Sequence, residues 1–397
     1  MNRQIYLDYA ATAPLCEEAA RAMAPFMVPG AANLPAGGNA NSLHSNGRTA
    51  FNALEEARRS IMRDLGAKRP DEIVFTSGAT EADNAALFGI VAASSERRRQ
   101  RGEKGFVPHV ITSAIEHDAV LAAARVLERM GCEVTVLGCD RQGFVEVRAL
   151  QAALRENTVL VSIHLVNNEI GSVQPVEELA ALAHGAGALF HTDAVQALGK
   201  IRVDMGELGV DAASFSAHKI GGPKGSGVLY LRAGTPFSPF IVGGGQESGK
   251  RSGTQNVCAA AGFAAACRAA CSMQESEAAR LRGLRDELYE RLGSIACVHP
   301  SVEVERDSRD FAPHIVNVCV DGFESETLIL RLDMKAVAVS GGSACSSHSL
   351  DPSHVLKAIG VSDDRALGSL RVSLGRCTEQ EDVESFMIAF EESLRGM

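Results

Sequence analysis

The residues able to do chemistry in this chain collect where short strand patterns give way to polar or glycine-rich turns. In Ser214-Phe215-Ser216-Ala217-His218-Lys219-Ile220-Gly221-Gly222-Pro223-Lys224-Gly225 a lysine follows a strand pattern directly and precedes a glycine-rich turn. An amine that loses solvent there becomes available to an aldehyde, which makes Lys219 a Schiff-base candidate. Taken alone, Lys219 reads as structural or surface-exposed, and Lys224 more strongly so. A second strand exit, His191-Thr192-Asp193-Ala194-Val195-Gln196, changes the weighing. An aspartate at that edge can pair with a protonated pyridine nitrogen and strengthen the ring as an electron sink, while the Gln196 amide can hold the ring oxygen. This company fits pyridoxal phosphate rather than a nicotinamide. Without it, Asp193 reads as a helix cap and Gln196 as a surface amide.

Other exits add parts. Ile115-Glu116-His117-Asp118 offers an imidazole that could stack on a planar cofactor, and Asn167-Asn168-Glu169-Ile170-Gly171 offers an amide. Singly, His117 reads as a capped or packed histidine and Asn168 as a turn former. The strand pattern at 73–77 runs into Gly78-Ala79-Thr80-Glu81 and an alanine-rich helix. Free amides at Ala79 and Thr80, with the Thr80 hydroxyl, suit a phosphate, although a plain helix cap has the same signature. Ser216 and His218 form a second phosphate-donor group beside Lys219. A third polar loop, 243–254, could reach an anion through its long side chains or Thr254. As a flexible surface turn it would leave Gln246, Glu247 and Lys250 in solvent.

Ser340-Gly341-Gly342-Ser343-Ala344-Cys345-Ser346-Ser347-His348 sets a cysteine among small residues, so a thiolate at Cys345 could visit a buried cofactor and withdraw. A buried structural thiol is the alternative, and His348 and His354 do not complete a metal ligand set around it. Arg371 lies in an otherwise apolar stretch and needs an anionic partner. A substrate α-carboxylate meets its fork with two oxygens, and an internal salt bridge would serve as well.

These exits need a sheet to hold them. Strand patterns at 73–77, 109–113, 133–137, 159–166, 188–191 and 212–216 alternate with helical patterns, which predicts an α/β sheet with covering helices and chemistry at the strand ends. A strongly helical stretch, 259–291, bridges to a smaller α+β domain with strands at 315–320 and 370–374. The expected division is an N-terminal arm at 1–14 associated with the small domain, a large domain at 15–260 and the small domain at 261–397. The basic run at 94–104 reads as a solvated surface connection.

With 397 residues the chain exceeds one core, and 46% hydrophobic against 22% charged residues argues against disorder. A formal charge of -10 gives no support to nucleic-acid or membrane attraction. Ten dispersed cysteines do not form a secreted disulfide framework, and no apolar run reaches spanning length, so the cytoplasm is expected.

Taken in order, Leu7-Asp8-Tyr9-Ala10-Ala11-Thr12, Gly37-Gly38-Asn39-Ala40-Asn41-Ser42-Leu43-His44, Thr76-Ser77-Gly78-Ala79-Thr80-Glu81, Glu116-His117, the Asn167 and His191 exits, Ser216-Ala217-His218-Lys219, Arg251-Ser252-Gly253-Thr254 and the Cys345 loop span essentially the whole chain. This set resembles the cysteine desulfurases of the NifS/IscS class, within the aspartate-aminotransferase-like fold. The resemblance implies conversion of L-cysteine to L-alanine, with sulfur carried as a persulfide on Cys345 to an acceptor or cluster-scaffold protein. It implies pyridoxal phosphate linked to Lys219, His117 over the ring, Asp193 at its nitrogen and Gln196 near its phenolic oxygen. Ala79, Thr80, Ser216 and His218 would hold the phosphate, with Thr254 supplied across a homodimer interface. Asn168 and Arg371 would orient the substrate carboxylate, and no metal is implied. A selenocysteine lyase or related carbon–sulfur lyase would share nearly every contact. An aminotransferase would not need the thiol, and an inactive scaffold would keep the cofactor alone.

Overall fold

The computed structural model describes residues 4–27, 38–342 and 351–395. After a short arm strand, β1 (Ile5–Tyr6), the chain lays down β2 (Ile73–Thr76), β3 (His109–Ser113), β4 (Glu133–Leu137), β5 (Thr158–Ser162), β6 (Leu189–Asp193), β7 (Ala212–Ser216) and β8 (Gly227–Leu231). The last seven form one sheet in the order β2-β8-β7-β6-β5-β3-β4. Pairing from β7 through β4 is parallel, whereas β8 runs antiparallel to both β7 and β2. The physical reason lies in the connections: parallel neighbours are joined through crossover helices, and the link from β7 to β8 holds only a single 3-10 turn, Ala217–Lys219, so the chain doubles back. The expected mainly parallel α/β sheet is borne out, with β8 as the strand that its sequence did not disclose.

Successive strand residues face opposite cores. Ile111, Val161, Phe190, Phe215 and Tyr230 pack into one, beneath the helices Ser45–Asp64, Val176–Gly185 and Val257–Ser272. Val110, Leu160, Ala212 and Leu229 pack into the other, beneath Ala79–Gln100 and Asp118–Arg129. Covered on both faces, the strands read as continuous apolar runs.

A second unit centres on β10 (Ile315–Val320), flanked antiparallel by β9 (Val298–Pro300) and β12 (Ser369–Ser373). A short strand, β11 (Val337–Ala338), pairs in parallel with β1. Leu281, Leu284, Leu288 and Leu292 recur at helical spacing along Gln274–Gly293 and enter this core, joined by Ile5 and Leu7 of the arm. The strongly helical stretch expected at 259–291 is two helices, Val257–Ser272 and Gln274–Gly293, bent by 69°. The first packs in the large core and the second in the small one.

The basic run at 94–104 lies mostly exposed, as a solvated surface segment should, with part of it helical. Helix Ala79–Gln100 continues through it to Gln100. Ser95 is buried and its hydroxyl donates to the Val91 carbonyl, while Arg97, Arg98 and Arg99 occupy the last turn, where cations complement the helix dipole.

Candidate active site

A cavity of about 470 Å³ opens at the carboxyl ends of the parallel strands. It collects Ala79, Thr80, His117, Asn168, Asp193, Gln196, Ser216, His218, Lys219 and Arg371, ten of the residues singled out from sequence. Thr254 is exposed and does not line it, and Cys345 lies outside the described residues.

Lys219 closes the 3-10 turn after β7, and its amine donates to the carbonyls of Ala10 at 2.6 Å and Ala11 at 3.0 Å. The N-terminal arm therefore holds the reactive amine. It holds Gln196 as well, whose Nε2 donates to Ala10 O at 2.9 Å, while His218 Nδ1 lies 3.1 Å from Thr12 Oγ1. Burial, then the positive charges of Lys219 and Lys224, push the His218 ring down to about 4, so it is neutral near pH 7. Exposed Lys224 also lines the cavity and adds positive charge to this end.

Helix Ala79–Gln100 starts at the cavity, and its N-cap residue Gly78 supplies no side-chain cap. The first-turn amides at Ala79 and Thr80 are thus left for an anion, close to Ser216 and His218. His117 lines the cavity, and its Nδ1 accepts from Ala119 N at 3.1 Å as the cap of Asp118–Arg129, the capped histidine that its position alone suggested. With Nδ1 accepting, the neutral ring carries its proton on Nε2.

Asp193 is buried, and its Oδ1 accepts from Val195 N at 2.9 Å. Burial raises its carboxyl above the ordinary range, and His117, the Val195 amide and Lys219 pull it back. Arg371 is 1% exposed. It donates to the Asn168 carbonyl at 2.8 Å and to Asp8 Oδ1 at 3.2 Å, and its Nε has no partner. The internal salt bridge weighed from sequence is therefore present, on a guanidinium that also lines the cavity.

His164, Val166 and Asp83 line the cavity although none of them stood in a motif that the sequence singled out. His164 and Asp83 are buried and line the cavity, with His164 Nε2 and Asp83 Oδ1 lacking hydrogen-bond partners. Val166 alternates with His164 and Asn168 on the extended segment after β5, so the three share one side. Period-two spacing from Asn168 is a signal that could have found His164. The loop expected as a flexible turn is anchored instead: Glu247 is buried, bonds Arg58 at 2.7 and 2.9 Å and accepts from Phe75 N at 3.0 Å. Lys250 donates to the Asp71 carbonyl.

A family model described as aminotransferase class-V matches residues 5–386. The chain is 45% identical over 387 residues to "Cysteine desulfurase IscS" of Dictyoglomus turgidum, covering 96% of this chain and 92% of that one. This chain is a class-V aminotransferase of the NifS/IscS class. A second NifS/IscS-class relative, "Cysteine desulfurase IscS" of Klebsiella pneumoniae, is 43% identical over 386 residues, covering 97% of this chain and 91% of that one. Among solved structures, a "NIFS-LIKE PROTEIN" superposes with a TM-score of 0.88 at 34% identity, covering 100% of both chains. One titled "SspA in complex with cysteine" superposes with a TM-score of 0.76 at 33% identity, covering 94% of this chain and 99% of that chain.

The donor set of this family member fits pyridoxal phosphate. An uncapped helix start, a buried carboxylate and a lysine at a strand end line one cavity, matching the phosphate, ring nitrogen and aldehyde of that molecule. Among the described residues no three metal-ligating side chains cluster, and no single helix is long and apolar enough to cross a membrane.

Proposed function

We propose that the protein is a pyridoxal-phosphate-dependent cysteine desulfurase that converts L-cysteine to L-alanine and passes the sulfur on. The observation that carries this reading is the meeting of Lys219, Asp193, the Ala79–Thr80 helix start and Arg371 around one cavity. The cofactor, when bound, supplies an electron-withdrawing ring that accepts the electron pair left at the substrate carbon.

The chain's own residues then have distinct tasks. Ala79, Thr80, Ser216 and His218 hold the phosphate, and Gln196 and Asn168 hold the ring edge. Asp193 offers a carboxylate to the ring nitrogen, and His117 covers the ring face. Arg371 exchanges Asp8 for the substrate carboxylate, with Asn168 alongside. Lys219 takes the proton from the substrate α-carbon, its amine already aimed by Ala10 and Ala11. Cys345, as a thiolate, forms a bond to the substrate sulfur as the C–S bond breaks. That bond's electron pair stays with the three-carbon fragment, which is protonated and leaves as alanine.

A second copy of the chain completes the site in this reading: Thr254, exposed here, reaches the phosphate of its partner's cavity. The sulfur passes to an acceptor protein or cluster scaffold, in the cytoplasm. Mass spectrometry after cysteine addition tests the whole. One added sulfur on Cys345 together with stoichiometric alanine is expected, and alanine formation at the wild-type rate by Cys345→Ala overturns the relay.

A further inference from the structure

Asp83 sits about one turn into helix Ala79–Gln100, 1% exposed, and lines the cavity. Its Oδ1 has no hydrogen-bond partner and lies 3.7 Å from His191 Nε2. That imidazole belongs to a buried polar row crossing three strands beneath the helix. Ser162 Oγ on β5 is 2.9 Å from His191 Nδ1, and Ser214 Oγ on β7 is 3.0 Å from His191 Nε2. Asp193 follows His191 by two residues on β6 and pairs in register with Ser214, so its side chain shares this face. The two acids therefore stand buried on one face at the cavity, one on the helix and one on the strand.

Their surroundings differ in sign. Asp193 faces His117 and Lys219 and has the Val195 amide. Asp83 faces Asp193 and Glu116, and no cation bonds it; the row below it is neutral because burial drives His191 down to about 3. Loss of solvent raises Asp83 well above the carboxylate range, Asp193 and Glu116 add to this, and the Ser214 hydroxyl offsets only part. Two buried carboxylates coupled in this way disfavour double ionisation, and the Lys219 amine and Val195 amide, which act on Asp193, leave the proton to Asp83.

We propose that Asp83 is a positioning residue: it stands behind Asp193 as a neutral acid and keeps Asp193 the anion that faces the ring nitrogen of the bound cofactor. This rests on the proposed function and goes beyond it, because no contact of Asp83 with substrate or reacting atoms is required. Asparagine preserves a neutral donor of the same shape, whereas alanine and leucine remove it. The proposal thus separates a neutral role from an anionic one.

The test uses the full-length protein loaded with pyridoxal phosphate, as wild type, Asp83→Asn, Asp83→Ala and Asp83→Leu. Infrared difference spectra, wild type minus Asp83→Asn near neutral pH, should contain a protonated-carboxyl C=O stretch. Steady-state rates with L-cysteine should show Asp83→Asn within about threefold of wild type, and Asp83→Ala and Asp83→Leu lower in kcat by about tenfold or more with KM little changed. A purely structural role would lower melting temperature without this split or the asparagine rescue. Absence of the C=O stretch overturns the proposal, as does equal loss in the asparagine and alanine variants, or no loss in any variant. The infrared arm reads Asp83 whether or not cofactor is taken up, so a wild type that gains no visible absorption with pyridoxal phosphate overturns the proposed function instead.

Discussion

Asp8 of the N-terminal arm accepts a hydrogen bond at 3.2 Å from Arg371, a residue more than three hundred positions later in the chain. The arm reaches this place because Ser373 N donates to Leu7 O at 2.7 Å and Leu7 packs in the small core. A carboxylate of the chain thus occupies the fork that a substrate carboxylate needs. Arg371→Lys loses the planar two-point contact and should raise KM for L-cysteine, with a loss of about 2–5 kcal/mol in kcat/KM. Asp8→Asn keeps the shape but weakens the competitor, and should lower KM by less than about tenfold because the pair is partly exposed. Steady-state kinetics decide, and unchanged KM in both variants assigns the pair to structure alone.

Lys219→Ala should abolish the visible absorption of the lysine-linked cofactor and nearly stop turnover. The helix start at Ala79 and Thr80 remains in this variant, so phosphate-dependent binding of pyridoxal phosphate should persist. A retained lysine-type band would move the covalent link to another amine.

Glu116 is fully buried, and loss of solvent pushes its carboxyl up to about 8, against the pull of the Ser113 hydroxyl and the His164 amide. The ordinary value is 4.5, so between 4.5 and about 8 the folded protein holds a proton that the unfolded chain has released. Stability contributed this way falls as pH rises through that window. His164 and His191 act oppositely: burial drives both down to about 3, so their contribution is lost as pH falls below 6.5. Glu116→Gln should flatten the fall in stability from about pH 6.5 to 8 measured by denaturant unfolding, and steepen the rise between 4.5 and 6.5, where Glu116 and the two histidines oppose each other. An unaltered alkaline slope would show that another group carries it.

The Arg58–Glu247 pair is buried on both sides and joins helix Ser45–Asp64 to the loop after the main sheet. Glu247→Ala removes one of the two carboxylates on the buried Arg58 guanidinium, leaving Glu55 at 2.9 Å, and should cost about 1.5–3 kcal/mol, read as a lowered melting temperature. A loss below about 1 kcal/mol would return the loop to the surface-turn reading.

Much of the architecture was readable because strands covered on both faces are apolar throughout and are bounded by polar exits. Lys219, Asp193 and His117 stood at those exits with residue types suited to the chemistry, Arg371 stood within an apolar stretch of the small unit, and one cavity collects all four. β8 escaped because a tight return has no crossover helix to announce it. Glu247 looked solvent-exposed because its partner, Arg58, is far away in the chain. Asp83 went unremarked because the acid that acts on it, Asp193, is far away in the chain.

The order of strand, exit and helix, and the residue types standing at each exit, follow from local pattern alone, since backbone periodicity and turn chemistry act between near neighbours. Which acid faces which, and whether a charge meets solvent, a cation or another acid, was decided only when the helix beginning at Ala79 came down on β5, β6 and β7 and the arm closed over Arg371. Burial and electrostatic coupling depend on distances through space, and a linear order of residues does not contain those distances.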